Sequence, residues 1–177
     1  MMDVLEKFRN NKQFVCVHAD IENLNKFIYG KICWVDEEFF VVSMVSPDGE
    51  YDGFLIKKIN DIIFIEHSLK YDNKMSILLR DKEYKERNLQ IVTNNILEWG
   101  LLFAKKNNFI VSVEFDHSGV NNVVGFVDSI KANICTMKQV DEYGIEDGES
   151  YFALSDISQI CIDSSDEKRL ATLFKGY

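Results

Sequence analysis

The groups in this chain that could perform acid–base chemistry are few. Three histidines are present, His18, His67 and His117, and two of them follow a carboxylate directly, as Glu66-His67 and Asp116-His117. An imidazole steadied by a carboxylate is the usual form of a general base. Neighbours on a strand point to opposite faces, however, so neither pair can make that contact in extended chain. The run Asp141-Glu142-Tyr143-Gly144-Ile145-Glu146-Asp147-Gly148-Glu149 is acidic enough to attract calcium, yet it lacks the alternating oxygen ligands of an EF-hand loop and reads as a solvated turn. Cys16, Cys33, Cys135 and Cys161 are far apart, without the Cys-x-x-Cys spacing of a zinc site or redox dithiol, and read as reduced, half-buried thiols. Gly49 and Gly53 have the spacing Gly-x-x-x-Gly, but no helix follows them to hold a phosphate. There is no nucleophile elbow and no His-Glu-x-x-His. The expectation is a non-enzyme without catalytic, cofactor-binding or metal-binding residues. The alternative of an enzyme whose site assembles from distant residues leaves no motif.

Charge narrows the partners. The net charge of −9 and a pI near 4.8 oppose binding to a phosphate backbone, where Lys and Arg displace counterions. Lys57 and Lys58 are adjacent, and Arg80, Lys82, Lys85 and Arg87 alternate with Asp81, Glu83 and Glu86, the pattern of a solvated face. The opening Met-Met-Asp-Val-Leu-Glu-Lys carries acids where a signal peptide carries positive charge. No apolar run reaches the roughly 18 residues of a membrane span. A cytoplasmic protein with no membrane contact is expected, its partner another protein and its oligomeric state open.

The elements that would position these groups come in two copies. Sliding the chain on itself brings Phe14 onto Phe109, Gly30 onto Gly125, Gly49 onto Gly144, Asp52-Gly53 onto Asp147-Gly148, Asp61-Ile62 onto Asp156-Ile157 and Ile65 onto Ile160, all at one offset without a gap. Matched turn glycines imply a shared backbone constraint, whereas matched aliphatics arise by chance. No histidine is shared under that offset. The domains divide as 1–80 and 81–177.

Within each copy short strands alternate with turn residues. In the first they are expected at Phe14 to His18, Phe27 to Val35 and Phe39 to Val45; in the second at Phe109 to Val113, Val123 to Ile130 and Ile134 to Val140. Two more strands follow in each, split around Asn60-Asp61 and Ser155-Asp156. Gly30 and Gly125 are expected where a side chain would strain a bend or a close strand contact. A helical tail follows the strands, clearest from Ser165 to Leu170. A helix from Glu83 to Lys106 is expected to join the copies and to place Leu89, Val92, Ile96, Trp99 and Phe103 on one buried stripe. The fold class is mainly β with helices (α+β): two tandem small barrels, each preceded by a helix and followed by a short helical tail.

A helix followed by five short, bent strands resembles the Sm-like (LSm) barrel, and other SH3-like barrels share that pattern. The first copy has part of the family's spelling in Gly30-Lys31-Ile32-Cys33-Trp34-Val35-Asp36-Glu37-Glu38-Phe39-Phe40-Val41. Gly30 and Asp36 fit the family's glycine and aspartate, but Phe40 replaces its base-contacting asparagine. The family's Arg-Gly pair falls on Lys58-Ile59, where only the charge survives. In the second copy Lys131 stands for the aspartate, Cys135 for the asparagine and Ala153-Leu154 for Arg-Gly. The resemblance implies an RNA-binding scaffold, yet neither copy supplies both the amide and the guanidinium that an RNA pocket needs.

The leading expectation is therefore a protein-binding adaptor, regulator or inhibitor, one version being a bacterial immunity or anti-nuclease protein whose acids cover a basic active site. The alternative is an Sm-like RNA-associated protein with a displaced surface. Candidate partner-binding residues are Asp36, Glu37, Phe39 and Phe40 in the first copy and Asp141, Glu142, Glu146, Asp147 and Glu149 in the second. Of Phe39 and Phe40, strand alternation sends one ring into its own barrel and the other outward, either as an apolar anchor in a polar rim or packed on the joining helix or the second barrel.

Overall fold

The computed structural model describes residues 1–85, 87, 89–115 and 122–176. The chain forms two compact units, Met1–Ile91 and Val92–Tyr177. Each is α+β.

The first unit runs α1 (Met2–Asn11), β1 (Phe14–His18), β2 (Ile28–Val35), β3 (Phe39–Val45), β4 (Tyr51–Lys58), a 3-10 turn at Ile59–Asp61, β5 (Phe64–Glu66) and α2 (Leu69–Asp81). Its strands are antiparallel in the order β5-β1-β2-β3-β4. The second unit runs α3 (Ile96–Asn107), β6 (Ile110–Phe115), β7 (Val123–Lys131), β8 (Ile134–Val140), β9 (Glu146–Ala153), a 3-10 turn at Leu154–Asp156, β10 (Ile157–Ile162) and α4 (Ser165–Phe174). Its order is β10-β6-β7-β8-β9, again antiparallel. The last strand of each unit returns to lie beside the first. The third-to-fourth hairpin therefore ends at the opposite side of that unit's order, and strand pairing inside a unit does not close the sheet.

The bends occur at equivalent places. Register shifts between Ile32 and Trp34 on β2 and between Val127 and Ser129 on β7. A second pair of shifts falls between Ser43 and Val45 on β3 and between Lys138 and Val140 on β8. Such bulges coil a strand and steepen its twist. Gly30 and Gly125 sit where the coiled strands come closest. A methyl at Gly30 would lie 2.1 Å from the Ser43 carbonyl oxygen, and one at Gly125 2.0 Å from that of Lys138. Any side chain there would force the pair apart, which accounts for both glycines.

The helices are fixed by caps and by burial. Ser68 accepts the Tyr71 N–H to start α2, Asn95 accepts that of Glu98 to start α3, and Ser164 with Glu167 forms a reciprocal capping box on α4. Met75 of α2 packs with Cys16, Tyr29 and Val45 on one face of the first sheet, flanked by Phe14, Phe27, Tyr71, Leu78, Leu79 and Tyr84. Val15 and Val17, also buried, point to the opposite face by alternation. Burying a side chain of this size contributes about 1.5–3 kcal/mol.

The joining helix is shorter than expected from Glu83 to Lys106, because α3 begins only at Ile96. The Thr93 hydroxyl accepts the Asn95 N–H at 2.9 Å, and the Asn95 side chain turns to accept the Glu98 N–H at 3.1 Å. Thr and Asn here satisfy a helix start rather than a helix interior. Upstream, Val92 is 92% exposed and does not extend the apolar stripe. The buried face of α3 is Ile96, Leu97, Gly100, Leu101 and Ala104, while Trp99 and Phe103 are half-buried with rings stacked at 5.2 Å.

Candidate functional site

The candidate residues fall into one hairpin in each unit. In the first, the β2–β3 turn is held by Asp36, whose Oδ1 accepts the N–H groups of Glu38 at 2.8 Å and Phe39 at 2.6 Å. Asp36 is thereby a turn residue, half-buried, and Glu37 beside it is exposed. Phe39 and Phe40, expected to divide between the inside of the barrel and its outside, are 5% and 0% exposed. The reason is that β3 lies inside its unit's strand order and is covered on both faces, with only Met44 half-buried along its length. Neither ring is an outward anchor.

The positions at which an Sm-like protein would read RNA are likewise occupied by core. Phe40 and Cys135 are both fully buried, and burial pushes the Cys135 thiol up to about 11. Lys58 lies 3.7 Å from the Glu38 carboxylate and 5.9 Å from the centre of the Phe39 ring. Lys57 pairs with Asp61 at 3.1 Å.

The hairpin in the second unit is different. Asp141 organises its turn: Oδ1 accepts the N–H groups of Tyr143 at 3.0 Å and Ile145 at 2.8 Å, and the Ile145 carbonyl accepts the Asp141 N–H at 2.9 Å. Gly144 closes it with φ +81°, and a methyl there would lie 2.6 Å from Cβ of Leu173 on α4. The first unit repeats this contact with Gly49 at φ +84° against Leu78 of α2. Clamped from behind, the turn throws Tyr143 and Ile145 outward, 62% and 49% exposed.

From there β9 carries Glu146, Asp147 and Glu149, all exposed, to Tyr151, which is 67% exposed. The Tyr151 hydroxyl donates to Glu149 Oε2 at 2.5 Å across one face of the strand. The phenol is pushed up by that hydrogen bond first and by the carboxylate's charge second. On the other face Phe152 meets Phe115 edge-on at 5.0 Å. Hence Glu142, Glu146, Asp147 and Glu149 lie exposed along one hairpin with three exposed apolar or aromatic side chains, Tyr143 and Ile145 at its turn and Tyr151 on its strand, while Asp141 is spent on the turn. Sequence reasoning missed Tyr143, Ile145 and Tyr151. The signal was the spacing of Glu149 and Tyr151, two apart on a strand and hence on one face.

The histidines are partnered differently from their sequence neighbours. His18, buried, approaches Leu24 O through Nδ1 at 2.8 Å, stacks on Phe64 at 3.9 Å and has Nε2 3.6 Å from Glu66. His67 pairs through Nδ1 with Asp72 of α2 at 3.0 Å, and Asp72 accepts the Tyr29 hydroxyl at 2.9 Å. The nearby Cys16 is no nucleophile at neutral pH, since burial, then the charges of Glu66 and Asp72, push its thiol up to about 12. These groups tie α2 to the sheet. Asp116 and His117 lie outside the described residues.

A hollow of about 320 Å³ in the second unit is lined by Asn107, Asp163, Glu167, Lys168 and Lys175, among others. Its buried Glu167 is engaged by the Ser112 hydroxyl at 2.5 Å and the Ser164 N–H at 2.9 Å. Among the described residues no group of three or more His, Cys, Asp or Glu side chains is placed to hold a metal ion. No helix among them is long and apolar enough to cross a membrane. No family model matches the chain, and neither a curated protein nor a solved structure does.

Proposed function

We propose that this chain is a non-catalytic, cytoplasmic protein-binding module, an adaptor, regulator or inhibitor, built from two divergent Sm-like barrels in tandem. The tandem reading is supported by the shared element order, the equivalent bulges and the equivalent close contacts of Gly30 with Gly125 and of Gly49 with Gly144. One observation carries the binding reading: Tyr143, Ile145 and Tyr151 stand exposed along a clamped hairpin that also exposes Glu142, Glu146, Asp147 and Glu149. Exposed aromatics inside a polar rim are the composition of a protein interface, where a few such anchors contribute most of the affinity. The acids select a basic partner and speed its encounter, as an inhibitor of a nuclease would require. RNA binding through the usual pocket has Phe40 and Cys135 against it, both buried.

The test is affinity capture from the source cell at physiological salt, with wild type beside the variant Glu146→Gln, Asp147→Asn, Glu149→Gln. Wild type should recover a partner that the neutralised variant loses. No partner, or equal recovery by both, would remove this hairpin as the binding surface.

A further inference from the structure

We propose that the outer edge of β9 binds an extended segment of the partner as an added strand, one in which Lys or Arg alternates with apolar residues. This rests on the reading of the acidic hairpin as the protein-binding site, and names how and what that site recognises.

Among the described residues β9 pairs with β8 alone. Which of its amides are free follows from one bond, the Leu154 N–H to the Asn133 carbonyl at 3.0 Å. Hydrogen-bonded and non-bonded rungs alternate in an antiparallel pair. Phe152 opposite Cys135 and Ser150 opposite Met137 are therefore bonded rungs, since they lie two and four residues along the same register. Glu149, Tyr151 and Ala153 consequently turn N–H and C=O away from β8, toward the open edge. An edge of this kind is a template for another strand, and charged side chains, Pro or a bulge decide what it admits. β9 is largely exposed and its charges are all acidic, which turns away its own kind and admits a cationic strand.

The side chains define the visitor. Residues opposite one another in paired strands share a face. Glu149 and Tyr151 form one face, a carboxylate beside an aromatic ring, suited to an ammonium or guanidinium by charge and by cation–π attraction. Ser150 and Phe152 form the other, where Phe152 extends the apolar surface of Phe115. An incoming strand that matches both has cations at every second position and apolar residues between. A second copy of this chain is the poorer occupant. Two β9 edges would oppose Glu146, Asp147 and Glu149 to their own kind in a chain of net charge −9, and like charges facing across a sheet destabilise it.

The test uses the full chain and two fluorescein-labelled peptides of equal composition, one alternating lysine with valine and one with the lysines in a block. Anisotropy should report saturable binding of the alternating peptide, about tenfold weaker when salt is raised from about 50 to about 200 mM. Hydrogen exchange on wild type, which needs no variant to fold, should show the Glu149, Tyr151 and Ala153 amides slowed about tenfold or more in the complex, with Ser150 and Phe152 protected already in the free chain. Tyr151→Pro, which removes an outward N–H and no bond to β8, should weaken binding about tenfold. Equal binding of the block peptide, unslowed outward amides, or no binding of either peptide would overturn strand addition. The reading of the hairpin as the binding surface survives each of these if the charge-neutralised variant still loses its captured partner. Reversible dimerisation in sedimentation, abolished by Tyr151→Pro, would assign the edge to a second copy and also overturn the inference.

Discussion

Replacing Gly125 with alanine tests whether the coiled contact between β7 and β8 is as close as described. The added methyl would start 2.0 Å from the Lys138 carbonyl oxygen and 2.9 Å from Cα of Gln139, where ordinary contact begins at 3.4 Å. Both obstacles are backbone, so no rotamer change relieves them. Strand pairs lie about 4.8 Å apart and their bonds are near 2.9 Å, so a retreat large enough for the methyl breaks the rungs beside it. Overpacking of this kind costs about 1–3 kcal/mol, and each lost backbone bond adds about 1 kcal/mol, which puts the variant about 3 kcal/mol below wild type. In a unit of this size that lowers Tm by roughly 12 to 24 °C. The assay is urea unfolding followed by tryptophan fluorescence in a Trp34→Phe background, because the chain's other tryptophan, Trp99, lies in the second unit and reports it alone. Gly148→Ala is the control: its φ is +81° but a methyl there meets nothing within 4 Å, so only backbone strain of about 1–2 kcal/mol applies. A Gly125→Ala midpoint equal to wild type, or no lower than that of Gly148→Ala, would refute the close contact.

Alkaline pH should destabilise the first unit through Cys16. Its folded thiol ionises near 12 against a reference of 9.0, so the folded state holds the proton more tightly and stability falls as pH rises from about 9 toward 12. Cys16→Ala should flatten that slope in urea midpoints measured across the range, and an unchanged slope would exclude the thiol as its source. Phe40→Ala should cost about 3–5 kcal/mol in urea unfolding followed through Trp34 in a Trp99→Phe background, as expected for emptying a fully buried ring site of the first unit. It should leave the response to a labelled uridine-rich RNA unchanged at nil; saturable RNA binding by wild type that this substitution abolishes would overturn the core role of Phe40.

Much of the backbone was legible because it is fixed by local constraints. Gly49 and Gly144 need positive φ, Gly30 and Gly125 need a bare Cα, and both requirements are visible as glycine at one offset. What was not legible depends on neighbours distant in sequence. Phe39-Phe40-Val41-Val42 contains no polar residue, the mark of a strand covered on both faces, and alternation by itself does not say whether the outward ring meets solvent or a packed neighbour. The stripe from Leu89 to Phe103 has helical spacing throughout, but Thr93 and Asn95 compete for the backbone and begin the helix at Ile96. His67 finds its carboxylate in Asp72, across the junction from strand to helix, and no search among adjacent residues would pair them.

The two units differ most in the strand that follows the clamped hairpin. On β4, Phe54, Leu55, Ile56 and Lys57 are all buried. The equivalent residues of β9 are Glu149, Ser150, Tyr151 and Phe152, and none of them is buried. The backbone around them is held alike in both units, by a glycine of positive φ pressed on the terminal helix and by a bulge at the same step of the register. Three aliphatic or aromatic core residues have given way to a carboxylate, a hydroxyl and a phenol at an edge that still carries outward amides. Charged side chains and a bulge guard an edge against pairing with its own kind, and β9 has both. Acids at that edge repel a second copy of the strand and attract a cationic one, and on that ground we propose the second hairpin, rather than the first, as the binding surface.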